Sequence, residues 1–501
     1  MCYHIMQILR ITRRIALKNQ VSLKINFFMN IILTLSSIIF PLITFPYVSR
    51  VLEPEAWGKV NFAISFITYF SYFAQLGLPT YGVKICAKYR DNKEKLSRTV
   101  QELSIISAIA TITTYTILAI VICAIPQIAS EKTLYILISS TLFFNLIGME
   151  WLYKALEKYT YITVRSLIFK VLAIITMFLL VKNKSDYIIY GCISVFAASA
   201  SNICNFINAQ KYISYKPVGH YNFKQHLKPL LILFAMTCAS TIYTNLDTVM
   251  LGFMSTNADV GYYNAAIKIK SLLVAIVTSL GTVLLPRASY YIENGFISDF
   301  KRISSKALNL IFIISIPMII YFIIYAKECI FFLSGNTFKP SVIPMQIIMP
   351  TLLFIGLTNI LGIQILIPLG KERYVLYSTI IGALTDLVIN VIFIPKFHAS
   401  GAAIGTLIAE FIVFIVQILL IDRDIREMFR SFEITKIVLA TTIALIGSYW
   451  VKRTHIHVFF TLVISALLFF ALYGITLLSL KESFTLEIKN NFLKRFNIRK
   501  S

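Results

Sequence analysis

Apolar stretches separated by short polar connections fill the chain almost from end to end. Fourteen can be marked, beginning with Ile25–Ser49 and Val60–Thr80 and finishing with Ile434–Trp450 and Val458–Leu480. About 20 apolar residues carry a helix across the hydrocarbon of a bilayer. Backbone polar groups find no water there, so only helices and closed barrels can span it. Barrel strands alternate in segments of about ten residues, whereas these runs are continuous. The pattern predicts an all-α polytopic membrane protein of about 14 transmembrane helices. Its connections are too short to fold as a separate soluble domain.

The same pattern repeats at an offset near 205 residues. Pro46–Leu52, Gly58, Gly77-Leu-Pro79 and Tyr81 have counterparts in Asp247–Gly252, Gly261, Gly281, Leu285-Pro286 and Tyr290. Glu157-Lys-Tyr159 likewise parallels Lys371-Glu-Arg-Tyr374. Each copy holds six stretches, an even number, so both enter the membrane in the same direction, related by an axis along its normal. The expected organisation is a basic cytoplasmic N-terminus (1–24), an N-lobe of helices 1–6 (25–208) and a cytoplasmic linker (209–228). A C-lobe of helices 7–12 (229–421), two further helices (434–480) and a basic cytoplasmic tail (481–501) complete it. Two pseudo-symmetric six-helix lobes around a cleft is a transporter plan.

Composition agrees: of 501 residues 57% are hydrophobic and 14% charged, and the mean hydropathy is +0.77. In a soluble chain the net charge of +24 would point to nucleic acid. Its distribution says otherwise. With the N-terminus in the cytoplasm, 34 of the 47 Lys and Arg fall on that side and 10 on the other. This is the positive-inside bias, and it places both termini in the cytoplasm, with some attraction to anionic lipid heads. No nucleic-acid partner is expected. The first stretch is too long for a signal peptide and no small-residue cleavage site follows it, so it reads as a retained span. The seven Cys show no ligand spacing and read as small apolar fillers. The six His lie in loops or tails without metal spacing, and no phosphate-binding GxxxxGK[ST] motif exists. Neither a metal site, a catalytic site nor an organic cofactor is expected.

Particular residues carry a family resemblance. Phe45-Pro-Tyr-Val-Ser-Arg-Val-Leu-Glu-Pro-Glu-Ala-Trp-Gly58, Gln364-Ile-Leu-Ile-Pro-Leu-Gly-Lys-Glu372 and Asn390–Glu410 resemble segments of bacterial polysaccharide-repeat flippases. Glu150-Trp151 and Asp186-Tyr187 fit as well, and the resemblance covers roughly residues 20–430. The family is the Wzx-type branch of the multidrug/oligosaccharidyl-lipid/polysaccharide exporter superfamily. It implies twelve to fourteen helices in two lobes, and movement of undecaprenyl-diphosphate-linked oligosaccharide across the bacterial inner membrane. Asp386 stands where the family pattern favours Asn.

Ionisable groups inside spans are expensive and face protein or water. Asp247 and Lys268 lie at similar depth, about 10 Å below a shared outer turn, and are expected to meet. They would form either a static pair between helices or a gate that breaks as the lobes move. Lys270 points about 200° away from Lys268. Asp386 and Glu410 flank the Pro395–Gly401 turn at similar depth, with Asn390 and Gln417 on the faces of their respective acids. Two close carboxylates cannot both ionise cheaply, so a shared proton or a bound Na⁺ would relieve them; hydrogen-bonded packing between helices is the other reading. Lys170 lies about 13 Å along its span from Tyr161, deeper than ordinary anchoring. With Lys268, Arg50, Arg165 and Arg287 it forms the set of candidate cations for a diphosphate head, which Arg suits through its planar fork. Interfacial anchoring is the other role open to the three arginines.

These residues predict a flippase, not an enzyme, taking lipid-linked oligosaccharide from the cytoplasmic to the outer leaflet for O-antigen, capsule or exopolysaccharide assembly. Proton or Na⁺ coupling, membrane lipids as surroundings, and a polysaccharide polymerase and chain-length regulator as partners belong to the same expectation. The rivals are a multidrug cation antiporter of the same superfamily, a membrane-embedded polymerase or glycosyltransferase, and a lipid II or teichoic-acid flippase.

Overall fold

The computed structural model describes residues 2–422, 426, 432–454 and 456–486. Among the described residues there are helices and no strand. We label α1 (Cys2–Gln75), α2 (Leu78–Lys88), α3 (Lys93–Ala124), α4 (Lys132–Gly148), α5 (Glu150–Ala155), α6 (Tyr159–Leu180), α7 (Tyr187–Val195), α8 (Asn202–Ala209) and α9 (Lys224–Met254). There follow α10 (Asn257–Glu293), α11 (Ile297–Ile324), α12 (Ala326–Ser334), α13 (Val342–Ile348), α14 (Thr351–Asn359), α15 (Glu372–Phe397), α16 (Ala399–Leu420), α17 (Ile434–Tyr449) and α18 (Val458–Ser479).

Among the described residues, eleven helices are long and apolar enough to cross a membrane, or twelve if Asn336–Ile348 and Thr351–Leu366, bent by 47°, form one span. The expected fourteen is therefore not reached on this measure. One source of the difference is visible. Two of the marked stretches fall within the single segment Ile25–Lys88, and the helix there breaks at Glu53 (φ 60, ψ 174). Pro54 explains the break, because its ring disfavours helical geometry in the residue before it and removes a backbone donor. The marked stretch at 229–253 lies inside the 31-residue α9. Exposed Ile109, Ile112, Ile120, Leu179, Ile446 and Leu467 give these helices the apolar outer faces a bilayer demands. Cys86, Cys123, Cys192, Cys204, Cys238 and Cys329 are free thiols.

The chain gathers into two compact units. Unit 1 holds the chain up to Leu52 together with Ala63–Thr241; unit 2 holds Glu53–Phe62 and the chain from Ile242 onward. The division thus lies inside α9. The first half of α9 belongs to unit 1 because Leu230 joins the core of Leu78, Tyr81, Leu96 and Trp151, and Phe234 meets Phe73 ring to ring at 5.2 Å. Gly77 (φ 74) starts α2, and a Cβ there would strike the Phe234 backbone nitrogen at 2.7 Å.

Unit 2 is built on close helix crossings. A Cβ at Gly58 would lie 1.7 Å from the Asn257 carbonyl oxygen, and one at Gly261 would lie 2.1 Å from that of Pro54. The two glycines aligned by the sequence repeat therefore pack backbone to backbone. Gly401 and Gly405, a small-xxx-small pair, bring α16 against α15 in the same way. The last two helices pair with each other, with α17 also on α11 and α18 on α12.

Candidate functional site

In unit 1, Lys154, Lys170 and Glu150 share one cavity of about 550 Å³, lined by residues of α1, α5, α6 and α7 that also include Asn30, Thr34 and Ser166. Lys170 is half-buried on α6, and its Nζ donates to Ser36 Oγ at 2.8 Å and Ser37 Oγ at 3.1 Å on α1. Hydroxyls satisfy the ammonium without cancelling its charge. Glu150 is the local counter-charge, 2.8 Å from Lys154 and 4.0 Å from Arg165. Arg165 is buried, donates to the Ser201 carbonyl at 2.9 Å and lies over the Tyr161 ring. It ties α6 to the start of α8 and is not among the cavity-lining residues. Arg50 donates to Pro46 O on its own helix, and both Arg50 and Arg287 are exposed.

In unit 2 the acids form a packed cluster. Asp247 accepts from Tyr263 at 2.5 Å, Asn390 at 2.7 Å and Thr406 at 2.8 Å, so α9, α10, α15 and α16 meet at one carboxylate. The Asp386 carboxyl, one turn before Asn390, lies within hydrogen-bonding reach of Asp247, and its Oδ1 finds no donor among protein groups. The Asn390 Oδ1 is likewise unmatched. Gly405 makes room, since a Cβ there would lie 2.2 Å from Asn390 Oδ1 and 3.0 Å from Asp386 Oδ1. Among the described residues no three His, Cys, Asp or Glu gather as metal ligands. Asp247, Asp386, Asn390 and Thr406 nevertheless supply carboxylate, amide and hydroxyl oxygens of the kind a hard monovalent cation takes.

Of two expected pairings, one comes out differently and the other in part. Asp247 does not meet Lys268: its oxygens are occupied by Tyr263, Asn390 and Thr406, and the lysine that has Asp247, Asp386 and Glu410 as electrostatic neighbours is Lys270. Helical rotation is the reason. Lys270 lies seven residues beyond Tyr263, two turns along the same face, while Lys268 is rotated away. Asp386 does have Glu410 as a carboxylate neighbour, but its stronger carboxylate neighbour is Asp247, and Glu410 also faces Lys270 and Tyr243. Gln417 gives its amide to Ser378 at 3.1 Å.

Sequence reading passed over Tyr263 and Thr406, neutral residues that nothing in an apolar run distinguishes. It also placed His226 in a loop. His226 is buried in the first turn of α9, 2.7 Å from Glu102 and 2.9 Å from the Tyr81 hydroxyl. Glu102 further accepts from the Asn222 backbone at 2.7 Å. The available signal was Glu102, an acid two residues before the apolar stretch 104–125.

The sequence pattern of the family described as "Polysaccharide biosynthesis protein" matches residues 23–291, and that of the MatE family matches 233–392. A protein of Escherichia coli (strain K12) assigned as an O-antigen transporter is 25% identical over 401 residues, 79% of this chain and 95% of that protein. A Shigella dysenteriae protein with the same assignment is 22% identical over 389 residues, 75% of this chain and 94% of its own. Among solved structures, lipid II flippase MurJ in an inward closed conformation superposes with a TM-score of 0.73 at 18% identity, covering 91% of this chain and 99% of that one. This likeness establishes the fold. The first match spans more than half of the sequence, and the chain belongs to the polysaccharide biosynthesis protein family, as a multi-pass, Wzx-type member of the multidrug/oligosaccharidyl-lipid/polysaccharide exporter superfamily.

Proposed function

We propose that the protein is a flippase carrying undecaprenyl-diphosphate-linked oligosaccharide repeat units from the cytoplasmic to the outer leaflet of the bacterial inner membrane. The observation that carries this reading is Lys170, a cation held by two hydroxyls in a polar cavity inside an apolar helix bundle. An ammonium there costs about 3 kcal/mol on insertion scales, and an anionic cargo gives that cost a purpose. Lys154 shares the cavity, so its lysines outnumber its one carboxylate, Glu150. Multidrug cations would want the opposite balance. The polyprenyl tail would stay in lipid while the cavity replaces water around phosphate and sugar, with two lobes alternating in access. Relatives assigned as O-antigen transporters support transport over polymerase or glycosyltransferase chemistry.

The unit 2 cluster suits coupling. One proton or one Na⁺ between Asp247 and Asp386 would cancel one of their two negative charges, relieve the repulsion between them and satisfy the unmatched Asp386 Oδ1. An inside-negative potential already favours outward anion movement by about 2.3 kcal/mol per charge per 100 mV, so the ion would add direction to a step that is downhill for charge. Cytoplasmic termini follow from the charge asymmetry. A polysaccharide polymerase and a chain-length regulator are the protein partners such a step would feed. In cells, Lys170→Met and Asp247→Asn together should abolish surface polysaccharide at normal protein level. Full surface polysaccharide in that strain refutes the reading.

A further inference from the structure

A second cavity of about 520 Å³ lies in unit 1, and Ser194 and Ala198 line both it and the Lys170 cavity. Each volume falls in the range of ligand pockets, about 300–1,000 Å³. Their walls differ in kind. The Lys170 cavity carries Lys154, Lys170 and Glu150; the second has no Lys, Arg, Asp, Glu or His among its lining residues and presents Thr68, Ser71, Tyr72, Gln75, Thr141 and Asn145.

Those polar groups are already oriented. Gln75 Nε2 donates to Ser71 Oγ at 2.9 Å, Asn145 Nδ2 approaches the same oxygen at 3.3 Å, and Asn202 Nδ2 donates to Asn145 Oδ1 at 3.4 Å. Gly148 admits Asn202, because a Cβ there would come within 2.4 Å of its amide carbon. A tract of hydroxyls and amides inside an apolar bundle is stable only while wet or occupied. At the junction, residues Phe196–Ala200 form a π-helical turn that follows directly on α7. Such turns break the regular ladder and recur at functional sites. Ala197, Ala198 and Ser199 within it keep the wall between the chambers thin.

We propose that the second chamber is a subsite for uncharged sugars, receiving the oligosaccharide of a lipid whose diphosphate sits at Lys170; this rests on the flippase reading. Hydroxyls and amides donate to and accept from sugar hydroxyl and acetamido groups, and the Tyr72 ring offers an apolar face. The walls hold nothing to pair with the carboxylates or ammonium of a peptide stem, so neutral glycans are taken over peptide-bearing ones. A site built to bond hydroxyls loses heavily when they are missing, because its own polar groups are left unpaired.

The test is binding to purified full-length protein of three probes: undecaprenyl diphosphate, the same lipid bearing a neutral oligosaccharide, and lipid II with its pentapeptide. Wild type should bind the neutral glycolipid about tenfold tighter than the bare diphosphate, and lipid II no tighter than the bare lipid. Asn145→Leu should erase the glycan increment while leaving undecaprenyl diphosphate binding unchanged. Should Asn145→Leu fail to fold, the isosteric Thr141→Val carries the same comparison. Equal affinities of wild type for bare and glycosylated lipid, or a glycan increment intact in the variant, overturn the subsite. Undecaprenyl diphosphate binding untouched by Lys170→Met instead overturns the flippase reading beneath it.

Discussion

Unit 1 turns Lys170 and a set of uncharged polar groups toward cavities, whereas unit 2 packs Asp247 and its neighbours against one another. Lys170 bonds to two serine hydroxyls that retain further capacity, and hydroxyls and amides continue from there into a second chamber. Asp247 takes three short hydrogen bonds from three other helices, with the Asp386 carboxyl against it. The contrast separates two uses of costly groups. Polar atoms with spare capacity toward open space are suited to exchanging partners as cargo comes and goes. Acids locked into a nearly complete network change state only by gaining or losing a small cation. Hydrogen bonds to charged groups are worth about 1.5–3 kcal/mol each and leave a buried donor stranded when one partner is removed. Stability should therefore be lost mainly in unit 2, and transport in both.

Asp247→Ala should do the most damage. It strands the Asn390 amide and leaves the Tyr263 and Thr406 hydroxyls only each other and the Ala402 carbonyl in a packed interior, so destabilisation of about 3–5 kcal/mol is expected, read as a drop in unfolding temperature of the purified protein. Asp247→Asn keeps the shape and should recover most of that stability, while export stays at least about 100-fold down, the scale of roughly 3 kcal/mol on a barrier. Asn export at the wild-type rate would show the carboxylate to be packing material only.

Lys170→Met tests the other side. Ser36 and Ser37 would turn to cavity water, so unfolding should move by less than about 1 kcal/mol while export falls about tenfold or more. If Lys170→Met destabilised as much as Asp247→Ala, the distinction between the units would fail.

Gly405→Ala addresses how tightly the acid cluster is built. The added methyl would lie 2.2 Å from Asn390 Oδ1 and 3.0 Å from Asp386 Oδ1, so one of them must shift. Overpacking of this kind costs about 1–3 kcal/mol, and export should fall about tenfold if the oxygens must stay in register. Gly474→Ala is the control. A Cβ there meets nothing within 4 Å, and replacing a helical glycine by alanine should stabilise by about 0.5–1 kcal/mol.

The sequence exposed some of this and concealed the rest for physical reasons. Hydropathy marked the helices, because a span must be apolar for its whole length. It also picked out Asp247, Asp386, Glu410 and Lys170, because charges in such runs are costly enough to stand out. Pairing was illegible, since depth fixes how far along a helix a group lies but not which way it points. That is why Lys268 was matched to Asp247 where the structure brings up Lys270. Tyr263, Thr406 and the neutral chamber around Asn145 were hidden for another reason: hydroxyls and amides hardly dent a hydropathy profile, and only assembly shows that they converge. His226 lay too near a connection to be suspected of burial beside Glu102.

Glu150 should give the smallest effect and the most specific one. Among the described residues it is the one carboxylate lining the Lys170 cavity; it sits 2.8 Å from Lys154 and 4.0 Å from Arg165, and acts on Lys170 as a negative neighbour. In the empty cavity it does part of what a phosphate would do, so an arriving diphosphate must share the cations with it. Glu150→Gln removes that competitor while keeping a hydrogen-bonding side chain of the same length. Diphosphate binding should tighten several-fold, in the range of about 1 kcal/mol, and turnover should slow because release becomes harder. Weaker binding in Glu150→Gln would show instead that the carboxylate holds the cations in place.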